Sequence, residues 1–170
     1  AMMYPCRDME LQCYHDIVDS ADQYLFMPRN EGMTLDAANV LRLNDKMLFL
    51  ESASGNRAAY NWLCDQFPDV TIELCNFYAG VHIDSTIVAL REGLVMLNSS
   101  RVGFDSVPQV FDGWQKIWVN EVVARDFYQY PYASKWIAMN MLTVDPNTVI
   151  VDRHQIELIK TLKSYQFEVI

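Results

Sequence analysis

Three short polar clusters carry the residue types that could do chemistry. The first is Leu35-Asp36-Ala37-Ala38-Asn39, the second His82-Ile83-Asp84-Ser85-Thr86 and the third Ala133-Ser134-Lys135. An Asp, a His and a second Asp that converge in a concave site are the parts of an acid/base apparatus. Histidine is the side chain best matched to proton transfer near neutral pH. A carboxylate beside it favours the charged ring or fixes its tautomer. Taken singly the signals are weak, because an Asp before a strand is ordinarily a turn or cap residue and one His is ordinarily a surface or satisfied core residue. What joins them is position: each cluster stands immediately before a β-hairpin pattern. His15, on a leading helix, and His154, at the start of the last helix, are expected to be structural or surface residues.

The hairpins belong to a repeat. Val40-Leu-Arg-Leu and Met47-Leu-Phe-Leu flank a polar Asn44-Asp45-Lys46 turn. Helical spacing follows from Gly55 to Phe67, then a strand from Val70 to Leu74. The order recurs as Ile87-Val-Ala-Leu, a turn at Arg91-Glu92-Gly93, Leu94-Val-Met-Leu, a shorter helical piece over Val107 to Asp112, and a strand from Lys116 to Val123. Ser106 is the expected N-cap of that piece, with Pro108 in its first turn. The third copy runs from Trp136 to Val144, turns at Asp145 to Thr148, continues as Val149-Ile-Val, forms a helix from Arg153 to Ser164 and ends in a strand from Gln166 to Ile170. Hairpins thus begin near Val40, Ile87 and Trp136, a period of about 47 to 49 residues. The expected fold class is α/β, three ββαβ units preceded by one helix over Met9 to Phe26, with Leu11, Tyr14, Val18, Ala21 and Leu25 on one stripe. Periods of this length suggest a propeller-like or stacked array.

Composition narrows the function classes. The 170 residues are 51% hydrophobic and 21% charged, which excludes a disordered or low-complexity chain. Thirteen Lys and Arg against 22 Asp and Glu give a net charge of −9, which argues against a nucleic-acid or anionic-membrane binder. No apolar run approaches the roughly 20 residues that span a bilayer, and the first residues lack a signal-peptide pattern. A cytoplasmic protein with reduced thiols is the expectation. Cys6, Cys13, Cys64 and Cys75 include no C-x-x-C pair, so no metal site is expected. Cys64 and Cys75 read as small core residues.

From about Leu35 to Ile170 these motifs resemble the amidinotransferases, members of the guanidino-modifying pentein superfamily. Leu35-Asp36-Ala37-Ala38-Asn39-Val40 is similar to that family's F-D-A-A-D-F, and Val81-His82-Ile83-Asp84-Ser85-Thr86 to its M-H-I-D-[AS]-T. Leu97-Asn98-Ser99-Ser100-Arg101 resembles L-S-N-P-x-R, and Ala133 to Asn140 resembles S-S-K-W-[LI]-[SA]-M-N. The resemblance implies a pentein α/β propeller of five ββαβ modules. This chain would hold about three of them, over residues 35–78, 81–125 and 133–170. It also implies a ping-pong transfer in which a cysteine thiolate takes the amidino group from an arginine-like donor and passes it to an acceptor amine. In that scheme Asp36 and His82 are catalytic. Asp84 holds the guanidinium through charge-assisted hydrogen bonds, Arg101 binds a substrate carboxylate and Ser134 contacts substrate. No metal or organic cofactor is implied, and the partners are a small guanidino donor and an amine acceptor.

The departures shape the alternatives. The family's nucleophile motif, G-x-H-C-x-[TS], does not occur in this sequence, so the chain is expected to be inactive alone. Asn39 stands where the motif has Asp, Ala133 where it has Ser, and Tyr78-Ala79-Gly80-Val81 where it has P-N-P-M, which disfavours glycine as acceptor. A non-catalytic guanidino-binding module, a chain completed by another copy or a complementing chain, and a guanidino-modifying hydrolase are the competing readings.

Overall fold

A computed structural model describes residues 14–28, 32–78, 80–120 and 136–170. Two compact units divide the chain, Ala1–Ile83 and Asp84–Ile170. Among the described residues the first holds one three-stranded sheet and the second two, all of one topology, an antiparallel hairpin whose second strand also pairs in parallel with a third.

In the first unit, β1 (Val40–Leu43) and β2 (Lys46–Leu50) form the hairpin, with Val40 opposite Phe49. Asn44 takes a left-handed φ of 47° in the turn between them, a conformation Asn tolerates better than most residues. The chain then crosses through α2 (Arg57–Gln66) to β3 (Thr71–Cys75), which runs parallel to β2. Helix α2 starts at Asn56, whose side-chain oxygen accepts from the Ala59 N–H at 3.0 Å and so satisfies a donor the helix leaves unpaired. The same oxygen accepts from Thr34 N, and the amide donates to Gly32 O, which ties residues 32–34 to the helix start. Phe49, Ala59, Leu63 and Ile72 then close a core with Met33 and Leu35. Tyr60 packs edge-on against Phe49 and donates its hydroxyl to Ile72 O at 3.1 Å.

In the second unit, β4 (Ile87–Arg91) and β5 (Leu94–Asn98) form a hairpin and β6 (Gln115–Val119) lies parallel to β5. The sequence β7 (Leu142–Asp145), β8 (Thr148–Ile150), α3 (Ile156–Ser164) and β9 (Glu168–Val169) repeats the arrangement. One core joins them: Val88, Leu90, Leu94 and Met96 meet Trp136, Met139, Val149, Leu162 and Phe167. Ile87, Val95 and Leu97, at the alternate positions of β4 and β5, are fully buried as well. Both faces of this hairpin are therefore covered, which explains why its sequence reads as nearly continuous apolar runs.

Four expectations change in extent. The leading helix, α1, covers only His15–Asp19; residues 9–13 lie outside the described residues, and 20–26 are not helical. Ser20 Oγ donates to Ile17 O and Ala21 N to Val18 O, closing the last turn tightly instead of extending it. Tyr14, Ile17 and Leu25 are exposed, so no packing draws the segment on. In the middle copy, the helix reduces to 3₁₀ turns at Phe104–Ser106 and Gln109–Phe111. Ser106 does not cap the second of these; its hydroxyl accepts from Gly103 N at 2.9 Å and closes the first. The third hairpin begins at Leu142, because Trp136 and Met139 enter the core three residues apart from a 3₁₀ turn at Ile137–Met139. The second interval between hairpins is accordingly longer than the first. Helix α3 starts at Ile156, since Asp152 holds the His154 N–H, the His154 ring and the Gln155 amide in a turn before it.

Leu162 and Ile156 share helix α3 but differ in surroundings, fully buried against half exposed. Leu162→Ala is expected to cost about 2–5 kcal/mol, the range for truncating a buried Leu, and Ile156→Ala well under 1 kcal/mol. Urea denaturation of both variants checks the contrast.

Candidate functional site

The first unit brings Asp36 and His82 together across 46 residues of chain. His82 Nε2 lies 3.3 Å from Asp36 Oδ2. The ring is about one-third exposed and the carboxylate 13%, so the pair is reachable yet shielded. Asp36 is placed by the turn that follows it. It N-caps the 3₁₀ turn Ala37–Asn39, with Oδ1 accepting from Ala38 N, its own N–H donating to Ser54 O at 2.8 Å and its carbonyl accepting from Asn39 N at 2.9 Å. Oδ2 is thereby left to face the ring.

His82 is held from both sides along the chain. Before it, Gly80 O accepts from Ala53 N, and Val81 O accepts from the hydroxyl of Ser52 at 2.6 Å, with Ser54 Oγ 2.8 Å away. After it, Ile83 N donates to Ala38 O at 2.9 Å and the Ile83 side chain is fully buried. The His82 segment and the Asp36 turn thus rest on the same backbone. A carboxylate oxygen facing an imidazole nitrogen orients the ring. A separation of 3.3 Å is looser than an ideal charge-assisted bond, which is common before a substrate tightens such a pair.

The other expected site residues fall in the second unit. Asp84 is exposed at its first position. Arg101 donates from Nη1 to Ser85 O, Ser85 Oγ and Thr86 Oγ1 at 2.8 to 3.1 Å, and its guanidinium stands 5.8 Å from the centre of the Trp136 ring. These contacts fix the direction of the side chain. Buried Asn98 supports the same loop, donating to Ser85 O and accepting from Ser100. Ser134 lies outside the described residues, as do Cys6 and Cys13. His154 pairs with Asp152 at 2.9 Å beside α3, in keeping with a structural part.

Sequence reasoning passed over the supports Ser52 and Ser54, and read Asn39 and Asn98 only as motif positions, not as supports. Asn39 and Asn98 are fully buried. A polar residue directly before or at the end of an otherwise apolar strand was the available signal. Among the described residues, no group of three or more His, Cys, Asp or Glu could hold a metal ion, and no helix is long and apolar enough to cross a membrane.

Comparison with known proteins is consistent in direction. No family model matches the chain. It is 41% identical over 144 residues to inosamine-phosphate amidinotransferase 1 of Streptomyces griseus, covering 83% of this chain and 42% of that protein. It is 33% identical over 138 residues to L-arginine:L-lysine amidinotransferase of Pseudomonas savastanoi pv. phaseolicola, covering 79% of this chain and 38% of that one. The solved structure of an inosamine-phosphate amidinotransferase from Streptomyces griseus superposes with a TM-score of 0.87 at 33% identity, over 99% of this chain and 56% of that chain. The chain spans about two fifths of the length of the curated relatives it matches.

The two described thiols are built into the first unit's framework, Cys64 on α2 and Cys75 on β3. Burial pushes the Cys75 thiol up to about 12, with the nearby Glu73 charge adding to the shift. The fold therefore prefers the protonated thiol. Its contribution to stability is complete below the ordinary thiol value near 9 and is lost as pH rises towards 12. Denaturation of wild type and Cys75→Ala between pH 8 and pH 11 is expected to show a steeper alkaline loss in wild type, by up to about 1.4 kcal/mol per pH unit.

Proposed function

Because the chain belongs to the amidinotransferase family, we propose that it carries the acid/base and substrate-binding part of an amidino-transfer site. The single observation behind this reading is the Asp36–His82 pair, two residues from separate motifs that meet at 3.3 Å. The mechanism is of Cys-His-Asp type. A thiolate attacks the guanidinium carbon of an arginine-like donor, a C–S bond forms and the C–N bond to the donor amine breaks. His82 gives its proton to that leaving amine, with Asp36 stabilising the imidazolium before transfer. His82 then accepts a proton from the incoming amine as its nitrogen replaces sulfur on the amidino carbon. Asp84 pairs with the guanidinium, Arg101 with a substrate carboxylate, and Ser134 contacts substrate. An arginine-like donor and an amine acceptor are supported by a relative whose name pairs L-arginine with L-lysine.

The nucleophile is the part this reading does not draw from the described residues. A thiol raised to about 12 is poorly suited to act as a thiolate near neutral pH, which sets Cys75 aside. None of the four cysteines stands in the family's nucleophile motif.

The chain is accordingly expected to bind arginine without transferring its amidino group. Calorimetry should show arginine binding that Asp84→Asn weakens about tenfold, or roughly 1.4 kcal/mol, with little change in thermal stability. Incubation with arginine and hydroxylamine should give no hydroxyguanidine. Turnover would place a nucleophile within this chain, citrulline release would favour a hydrolase, and no binding at millimolar arginine would overturn the proposal.

A further inference from the structure

The end of the Arg101 side chain is held within the second unit, and the hold is built on Thr86. The hairpin register sets Ile87 opposite Leu97, so the residue before β4 lies beside the end of β5. Asn98 N donates to Thr86 O there at 2.9 Å, which ties the Thr86 backbone to the pairing. Thr86 is fully buried, and its β-branched side chain has few χ1 positions open to it. Its hydroxyl oxygen accepts from Arg101 Nη1 at 3.0 Å. The same nitrogen reaches Ser85 Oγ at 2.8 Å and Ser85 O at 3.1 Å, so its N–H groups serve three acceptors on successive residues. Ser85 O is shared in turn, since Asn98 Nδ2 donates to it at 3.3 Å. The Arg101 N–H donates to Asn98 O at 3.1 Å, which anchors the other end of the arginine. The buried Trp136 ring adds a further contact, its centre 5.8 Å from the guanidinium and within cation–π range.

We infer that Thr86 is a positioning residue whose hydroxyl sets the Arg101 guanidinium for a substrate carboxylate, so that the site prefers donors that carry one. Its functional meaning rests on the proposed role of Arg101 in binding that carboxylate. A guanidinium is planar, and its forked donors match a carboxylate in few orientations. A long side chain with several rotatable bonds loses that match unless its end is held. Thr86 holds one terminal nitrogen, and the Trp136 ring restrains the group beside it. Ser85 is the lesser partner, because its hydroxyl sits on an unbranched side chain while its backbone carbonyl accepts whatever that side chain does. Without the Thr86 hydroxyl, Nη1 stays near Ser85 but is no longer pinned between two successive residues. Recognition of the donor's carboxylate then weakens, while recognition of its guanidinium, assigned to Asp84, does not.

Two variants of the full chain separate the hydroxyl from packing: Thr86→Val removes it at nearly constant shape, and Thr86→Ser keeps it but loses the methyl group. NMR of the Arg101 Nε–Hε group, assigned by its loss in Arg101→Lys, reports how firmly the side-chain end is held and needs no ligand. That group is expected to be rigid in wild type and Thr86→Ser, and mobile on the ps–ns scale in Thr86→Val. Calorimetry then compares arginine with agmatine, which is arginine without its carboxylate. Thr86→Val is expected to lower the preference for arginine by at least about threefold with agmatine affinity unchanged, and Thr86→Ser to retain it. A rigid Arg101 end in Thr86→Val would overturn the inference, as would a Thr86→Ser chain as mobile as Thr86→Val, since packing would then do the holding. An unchanged arginine preference beside a loosened side chain would overturn it too. Where Thr86→Val does not fold, Thr86→Ser against Thr86→Ala decides, because those two differ only in the hydroxyl. A wild type that binds neither compound, or both alike, would count against the proposed role of Arg101, and the NMR contrast would still decide whether Thr86 positions it.

Discussion

The antiparallel register of each hairpin is the constraint on which the local arrangements depend. Val40 lies opposite Phe49 and Ile87 opposite Leu97. The residue before the first strand therefore lands beside the end of the second. Asn39 reaches Leu50 O for this reason, and Asn98 N reaches Thr86 O. A slip of one residue would turn Phe49 out of its core and carry Asn39 away from the carbonyl that satisfies it. Packing and polar contacts thus specify the same register, through different atoms.

The parallel third strand extends the logic. Because β3 runs beside β2 in the same direction, the chain leaves the sheet at the end where the turn over residues 52–54 lies. Glu51 N donates to Cys75 O, Ala53 N to Gly80 O and Ser52 to Val81 O, which leads the chain along that turn until His82 is reached. Topology delivers the histidine to the neighbourhood of Asp36; hydrogen bonds fix the final ångström. The burial of Ile83 and its bond to Ala38 O hold the chain beyond it.

Much of this was legible from residues alone, and the limits have physical causes. Alternating apolar residues about the Asn44-Asp45 and Glu92-Gly93 turns marked the first two hairpins, because turn chemistry and strand periodicity agree there. The position of His82 and Asp36 before successive hairpins anticipated that they would converge. Trp136-Ile137-Ala138-Met139 misled, since a short apolar run does not distinguish a strand from a tight helical turn. Tyr14, Val18, Ala21 and Leu25 suggested a leading helix running on to Phe26, whereas among the described residues it ends at Asp19, where Tyr14, Ile17 and Leu25 are exposed and periodicity has no surface to pack on. The Asn39 network was hidden for another reason. Its partners Leu50, Ser52 and Ser54 become neighbours only once the hairpin is paired, and a lone Asn in sequence does not announce three satisfied hydrogen bonds.

One feature of the architecture bears on how the protein withstands local damage. The unit that carries Asp36 and His82 has its own apolar core, its own capped helix and its own buried polar bonds, while Trp136, Met139 and Leu162 belong to the core of the other. Openings of a folded chain follow such cooperative blocks. Arg101 and its serine and threonine supports share their unit with the Trp136, Met139 and Leu162 core, while the histidine–carboxylate pair rests on the framework of the first unit. The H-I-D tripeptide, only three residues long, has His82 in the first compact unit and Asp84 in the second.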